Sequence, residues 1–176
     1  MTGEDLLAMG DIGPSELVEG RIVKMSPTGF EHGDYEGNFY EYLKAFVKGR
    51  KLGRVAVGEV GIYVRRNPDT VRAADVVFIS NERHAQRVHT RGFLDVTPEL
   101  VVEILSPDDR MGDMIRKLRD YFEAGVKLAW VADPETKTVY AYRSMTDVRE
   151  FKETDTLIGD DVLPGFSVSV ASLFGE

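Results

Sequence analysis

Two stretches, "AADVVFIS" at 73–80 and "ELVVEILS" at 99–106, limit what this chain can fold into more than any other feature. Both are apolar without the strict polar alternation of a half-exposed strand, so each is expected to be a sheet strand covered on both sides. Each nevertheless carries one acid. Glu103 interrupts Leu100, Val101, Val102, Ile104 and Leu105, and Asp75 shares a face with Ala73, Val77 and Ile79. Burying an ionised carboxylate costs several kcal/mol unless a cation or hydrogen bonds compensate. Two such acids on strands that can lie side by side suggest a shared cation.

The other segments supply the rest of a sheet and its cover. "GEDLLAM" predicts a short leading helix, and "SELVEGRIVKMSP" two short strands meeting at Gly20. Tyr35, Phe39, Tyr42, Leu43, Phe46 and Val47 form an apolar stripe that predicts a helix over about 31–49, ended by Gly49 and Gly53. "RVAVGEVGIYVRR" reads as a strand, and a polar loop with one helical turn is expected over 81–98. A helix follows from about 110 to 124, capped by Asp109 and closed by Gly125. "KLAWVAD" and "TVYAYRS" are strands joined by the turn "PETK"; "REFKET" suggests one more, and "LPGFSVSVASLF" ends the chain with apolar residues. Strand, helix and strand over 99–133 form a crossover with parallel strands, whereas the earlier meander is antiparallel. The expectation is an α/β fold: a mixed sheet flanked by helices.

The 176 residues suit one domain, 1–176, and 43% hydrophobic with 30% charged residues is an ordinary globular balance. No apolar run approaches the ~20 residues that span a bilayer. "MTGEDLLAMGDIG" lacks the basic start and apolar stretch of a signal peptide, so a cytoplasmic protein is expected. Without cysteine there is no thiolate metal site or disulfide scaffold. The net charge of −8 disfavours non-specific coating of nucleic acid, so DNA contact would need a local basic patch. "FVKGRKLGR" and "NERHAQRVHTRG" are the two candidates, although either also fits an ordinary solvated surface.

The cation for the two acids can come from the crossover helix. Met114, Lys117 and Tyr121 fall on one face, with Leu118 and Phe122 extending it, which sets Lys117 at the edge of the buried stripe. A hard ion such as Mg²⁺, or Mn²⁺, takes oxygen ligands, and Asp75, Glu103 and the backbone carbonyl of Ile104 would suit it. Such an ion activates water and stabilises charge on a phosphoryl oxygen, while a lysine positions the water or offsets developing charge. The chemistry implied is phosphodiester hydrolysis. A buried ion network of Asp75, Glu103, Lys117 and an arginine, with no metal, satisfies the same pattern, and the residues leave both readings open. Trp130 reads as core and Asp133 as a turn residue, and Glu36 and Glu59 default to solvent. No serine lies in a G-x-S-x-G turn, and the glycines form neither a P-loop nor a dinucleotide fingerprint.

From about Leu6 to Phe174 the chain resembles the Uma-two family of restriction-endonuclease-like proteins, within the PD-(D/E)XK nuclease superfamily. "ELVEGRIVKMSP", His32, "ADVVFI", "ELVVEILSP", the lysine and tyrosine of "KLRDYFEAGV", and "LAWVADP" carry the resemblance by their order and spacing. It implies a restriction-endonuclease-like sheet, a Mg²⁺-type site with Asp75 as first acid and Glu103 as second, and His32 near the site. The superfamily's lysine would stand at 105, where this chain has Leu105, so Lys117 is implied as its replacement. Ala74 stands where proline usually precedes the first acid. The expected function is metal-dependent hydrolysis of DNA by Asp75, Glu103, Lys117 and His32, with the loop 81–91 touching phosphates and a homodimer cutting both strands. The alternative is a non-catalytic binding module on the same fold.

Overall fold

The computed structural model describes residues 1–175. The chain begins with α1 (Gly3–Ala8), the hairpin β1 (Ser15–Val18) and β2 (Arg21–Lys24), and the long helix α2 (Phe30–Arg50). Two long strands, β3 (Gly53–Arg65) and β4 (Thr70–Ser80), precede the single turn α3 (Asn81–His84). The crossover is β5 (Leu100–Ile104), α4 (Met111–Ala124) and β6 (Leu128–Asp133). Then come β7 (Thr138–Ser144), β8 (Asp147–Phe151), β9 (Thr156–Ile158), β10 (Ser167–Ser169) and α5 (Val170–Leu173).

The main sheet is mixed, with eight strands ordered β2-β1-β4-β5-β6-β7-β8, and β3 pairs with β4. β5 and β6 are parallel, as the crossover predicted, and β3–β4–β5 is antiparallel. Register divides the apolar residues between the faces. Val76, Val102 and Trp130 align across the sheet and pack under Phe39, Leu43 and Val47 of α2. Val77, Val101 and Ala129 align on the other side and pack under Met114, Leu118 and Tyr121 of α4. The expected α/β fold, a mixed sheet flanked by helices, is the one found. Trp130 is fully buried against Phe39 and Phe166. Leu118 is fully buried too, and Leu118→Ala should cost about 2–5 kcal/mol of stability, read from the urea midpoint at unchanged m-value.

The edges of β4 are unusual. On one side β3 follows it from Thr70 to Ser80, but with a bulge between Val57 and Val60 that sets Gly58 and Glu59 opposite Asp75. Both bulge residues have positive φ, 95° at Gly58 and 54° at Glu59. On the other side β1 meets β4 at Val71 and β5 meets it at Val76–Phe78. The sheet therefore forks over residues 72–75, and the backbone there must find other partners.

Several expectations need correction. Arg110, not Asp109, is the N-cap of α4, and Asp109 instead accepts from the Ser106 N–H at 2.7 Å. A proline-directed turn leads into the helix, so the carboxylate closes that turn rather than the helix end. Tyr42 points outward, 40% exposed, because the buried row of α2 runs Glu36, Phe39, Leu43, Val47. The basic stretch at 48–54 lies at the far end of α2 from His32, about 24 Å along the helix at 1.5 Å per residue. Arg83, within α3, donates to the Thr97 and Gly125 carbonyls, and in the loop that follows His89 contacts Asp95. The Arg83 side chain is thus held against the protein, whereas that of His89 stays largely exposed. No helix among the described residues is long and apolar enough to cross a membrane.

Candidate functional site

At the fork, side chains replace the missing ladder bonds. The Ala73 N–H donates to Glu16 Oε1 at 2.9 Å, and the Ala73 carbonyl accepts from Lys117 Nζ at 2.7 Å. One turn of strand further on, Asp75 Oδ2 accepts from the Ile104 N–H at 2.7 Å. The acid in the middle of β4 is thus placed by topology: its carboxylate fills the position where the β4–β5 ladder has ended.

Glu103 faces α4 and is buried. Its carboxylate lies 3.0 Å from Lys117 Nζ, and the Tyr121 hydroxyl donates to its Oε1 at 2.5 Å. Lys117 also lies 3.0 Å from Glu16, so its three donors have three partners. Glu16 in turn pairs with Arg72 at 2.8 Å, and Arg72 with Asp120 at 2.6 Å. Lys117, Asp120 and Tyr121, at i, i+3 and i+4, present one face of α4 to this network.

α2 closes the site from the opposite face. His32 Nε2 stands 3.0 Å from the Ile104 carbonyl and 3.5 Å from Asp75 Oδ2. The Ile104 carbonyl can only accept, so a ring proton belongs on Nε2. One turn later Glu36 Oε1 accepts from the Gly58 N–H at 2.8 Å, which ties α2 to the β3 bulge. Glu36 Oε2 lies 3.8 Å from His32 Nδ1, a buried atom without a hydrogen-bond partner among the described residues.

Burial dominates the electrostatics. It pushes the Asp75 carboxyl up to about 7, against the pull of the Ile104 N–H and Lys117. Glu103 is pushed up to about 8 by burial, opposed by Lys117 and reinforced by Asp75. Glu36 is raised by burial against its Gly58 hydrogen bond. For Lys117 burial opposes the charge, but Glu103 and Glu16 outweigh it and hold the ammonium above the ordinary lysine range. Burial also opposes ionisation of Glu16, where Lys117 and Arg72 prevail and lower it. Two acids therefore share one ammonium, each 3.0 Å from it. A cluster of raised carboxyls around a fixed cation is the setting in which catalytic sites are commonly found.

The expected residues Asp75, Glu103, Ile104, Lys117 and His32 all lie around this fork. The expectation that Glu36 faces solvent is overturned, since the residue is buried. Its signal was in the spacing: positions 32, 36, 39, 43 and 47 form one helical row, so the apolar stripe of α2 continues into a histidine and an acid. Glu16, Arg72 and Asp120 went unnoticed. Glu16 in the short β1 and Arg72 in the long β4 each interrupt a strand with a charge, the same oddity that exposed Asp75 and Glu103.

Comparison with known proteins agrees with the fold. The model of the Uma2 family, described as "Putative restriction endonuclease", matches residues 4–171. A crystal structure described as that of "a putative nuclease belonging to DUF820", from Anabaena variabilis ATCC 29413, has a TM-score of 0.84 with this chain. The two are 19% identical, over 99% of this chain and 97% of that one. No curated protein matches the chain.

Proposed function

We propose, from the premise that the chain belongs to the Uma2 family, that it is a divalent-metal-dependent endonuclease hydrolysing phosphodiester bonds of DNA. One observation carries this reading: Asp75, Glu103 and Lys117 converge where β4 parts from its neighbours. The buried, unpartnered Nδ1 of His32 and the raised carboxyls beside it are what a cation would relieve, so the residues fit a metal. In this reading Asp75 is the principal ligand, and Glu103 stands beside it as the catalytic carboxylate. A divalent ion, when bound, supplies charge that stabilises the phosphoryl transition state and acidifies water.

The protein's own groups do the rest. Lys117 has no free donor, so it contributes a fixed charge near the developing negative oxygens and holds Glu103 in place. Glu103, whose proton is contested, is the group suited to take a proton from the attacking water. The Tyr121 hydroxyl, raised well above its ordinary value mainly by burial, stays protonated and orients that carboxylate. Two chains related by a two-fold axis would present one site to each strand of a duplex.

Plasmid and single-stranded DNA with Mg²⁺ or Mn²⁺ test the reading. Wild type should nick or cut, EDTA should stop it, and Glu103→Gln should slow cleavage by about 10²–10³-fold, as loss of one charge-stabilising group does. Absence of cleavage on every DNA form with either ion would overturn it. A second reading is favoured by the closed pairing of Glu103 with Lys117 and Tyr121: a binding module in which the network is purely structural. It expects DNA retention without cleavage.

A further inference from the structure

Three ligand types face one another on the α2 side of the fork. One ligand atom from each of His32, Glu36 and Asp75 lies within 4.8 Å of the other two. With Nε2 turned to the Ile104 carbonyl, Nδ1 faces Glu36 Oε2 across 3.8 Å, buried and without a hydrogen-bond partner among the described residues. The His32 side chain is nine-tenths buried, with Nδ1 aimed into this cluster. A cation bound between Nδ1 and the two carboxyls would satisfy that buried nitrogen. On the α4 side the demand is already met, because Lys117 and Tyr121 serve Glu103.

We infer that the divalent cation is held by His32, Glu36 and Asp75, with Glu103 kept outside its ligand shell by Lys117, and that the imidazole biases the site towards Mn²⁺ and other first-row transition ions over Mg²⁺. This rests on reading Asp75 as a metal ligand, and it replaces Glu103 and the Ile104 carbonyl, the ligands expected from the sequence, with two side chains of one helix. The i, i+4 spacing of His32 and Glu36 sets both on the same helical face, a rigid mount for two ligands. Imidazole suits transition ions, whereas Mg²⁺ favours a shell of oxygens. Each ligand is steadied by the backbone: Nε2–H donates to Ile104, Oε1 accepts from Gly58, and Asp75 Oδ2 accepts from Ile104. Such outer support orients the atoms that remain for the ion.

The test is Mn²⁺ binding to the whole, EDTA-stripped protein, followed by loss of the free-ion electron paramagnetic resonance signal, with Mg²⁺ measured by calorimetry. Wild type should bind Mn²⁺ at least tenfold more tightly than Mg²⁺. His32→Gln and Glu36→Gln should each weaken Mn²⁺ by 10-fold or more, about what loss of one supporting group costs at a metal site. Glu103→Gln should stay within threefold of wild type. Retained affinity in the two helix variants with loss in Glu103→Gln would overturn the inference. So would wild type that binds neither ion at millimolar concentration. If His32→Gln does not fold, the wild type decides alone: pulsed resonance of bound Mn²⁺ should show nitrogen modulation from a coordinated imidazole, and its absence overturns the assignment. DNA cleavage by the same wild-type sample separates this from the functional reading. Cleavage without nitrogen coordination sinks the inference only, and nitrogen coordination without cleavage sinks the nuclease only.

Discussion

Asp75→Asn should abolish ion-supported DNA cleavage, by about 10³-fold or more, since several kcal/mol of charge stabilisation depends on that carboxylate and each 1.36 kcal/mol is tenfold in rate. The same change should make the metal-free protein more stable at neutral pH. The Asn side-chain oxygen can still accept from Ile104, so the fork stays closed. Burial raises the Asp75 carboxyl from its ordinary 3.8 to about 7. Between those values the folded chain keeps a proton that the unfolded chain has released. The wild type's contribution from this group is therefore full below about pH 4 and is lost as pH rises through about 7. Asn has no proton to lose. The stability gap between Asp75→Asn and wild type should open from near zero at pH 4 to something on the order of 4 kcal/mol at pH 8. Urea unfolding in EDTA across that range reads it. A variant that is dead and more stable is the mark of a site built for function at the expense of the fold.

Lys117→Met should have the opposite effect on folding. It leaves Glu16 and Glu103 buried without their shared ammonium and the Ala73 carbonyl without its donor. Removing one partner of a buried ionic group costs about 3–5 kcal/mol. At this chain length that lowers the melting temperature by roughly 10 °C. Cleavage should also disappear, so activity must be compared at a temperature where the variant is folded. Adding Glu103→Gln to Lys117→Met should recover part of the stability, because a buried carboxyl that has lost its ammonium is replaced by a neutral amide. Thermal melts of the three proteins measure this directly.

The pattern of apolar strands made much of the architecture legible. The both-face burial of β4 and β5 follows from their unbroken apolar runs, and the parallel crossover from the helix of 111–124 between two such runs. Asp75, Glu103 and Lys117 stood out because charge within an apolar period is locally visible. The fork was not visible, because it depends on where β1 ends and β5 begins along β4, and β1 reaches β4 from more than fifty residues away. Without it nothing explained why Glu16 or Arg72 should be buried. Glu36 escaped for a different reason: an acid on a helix is solvent-facing by default, and only the β3 bulge brings a backbone N–H to meet it.

The fork also bears on how this sheet would age in evolution. Glu16, Lys117, Asp75, His32 and Glu36 each satisfy a peptide group at Ala73, Ile104 or Gly58. A descendant that gave up chemistry would still need those peptides satisfied, so selection for folding alone would resist greasy replacements at these positions. The trace of a retired enzyme would be the amide swap, Asn for Asp75 or Gln for Glu36, which keeps the peptide's partner and discards the charge. Relatives bearing such swaps are where binding without cutting should be sought.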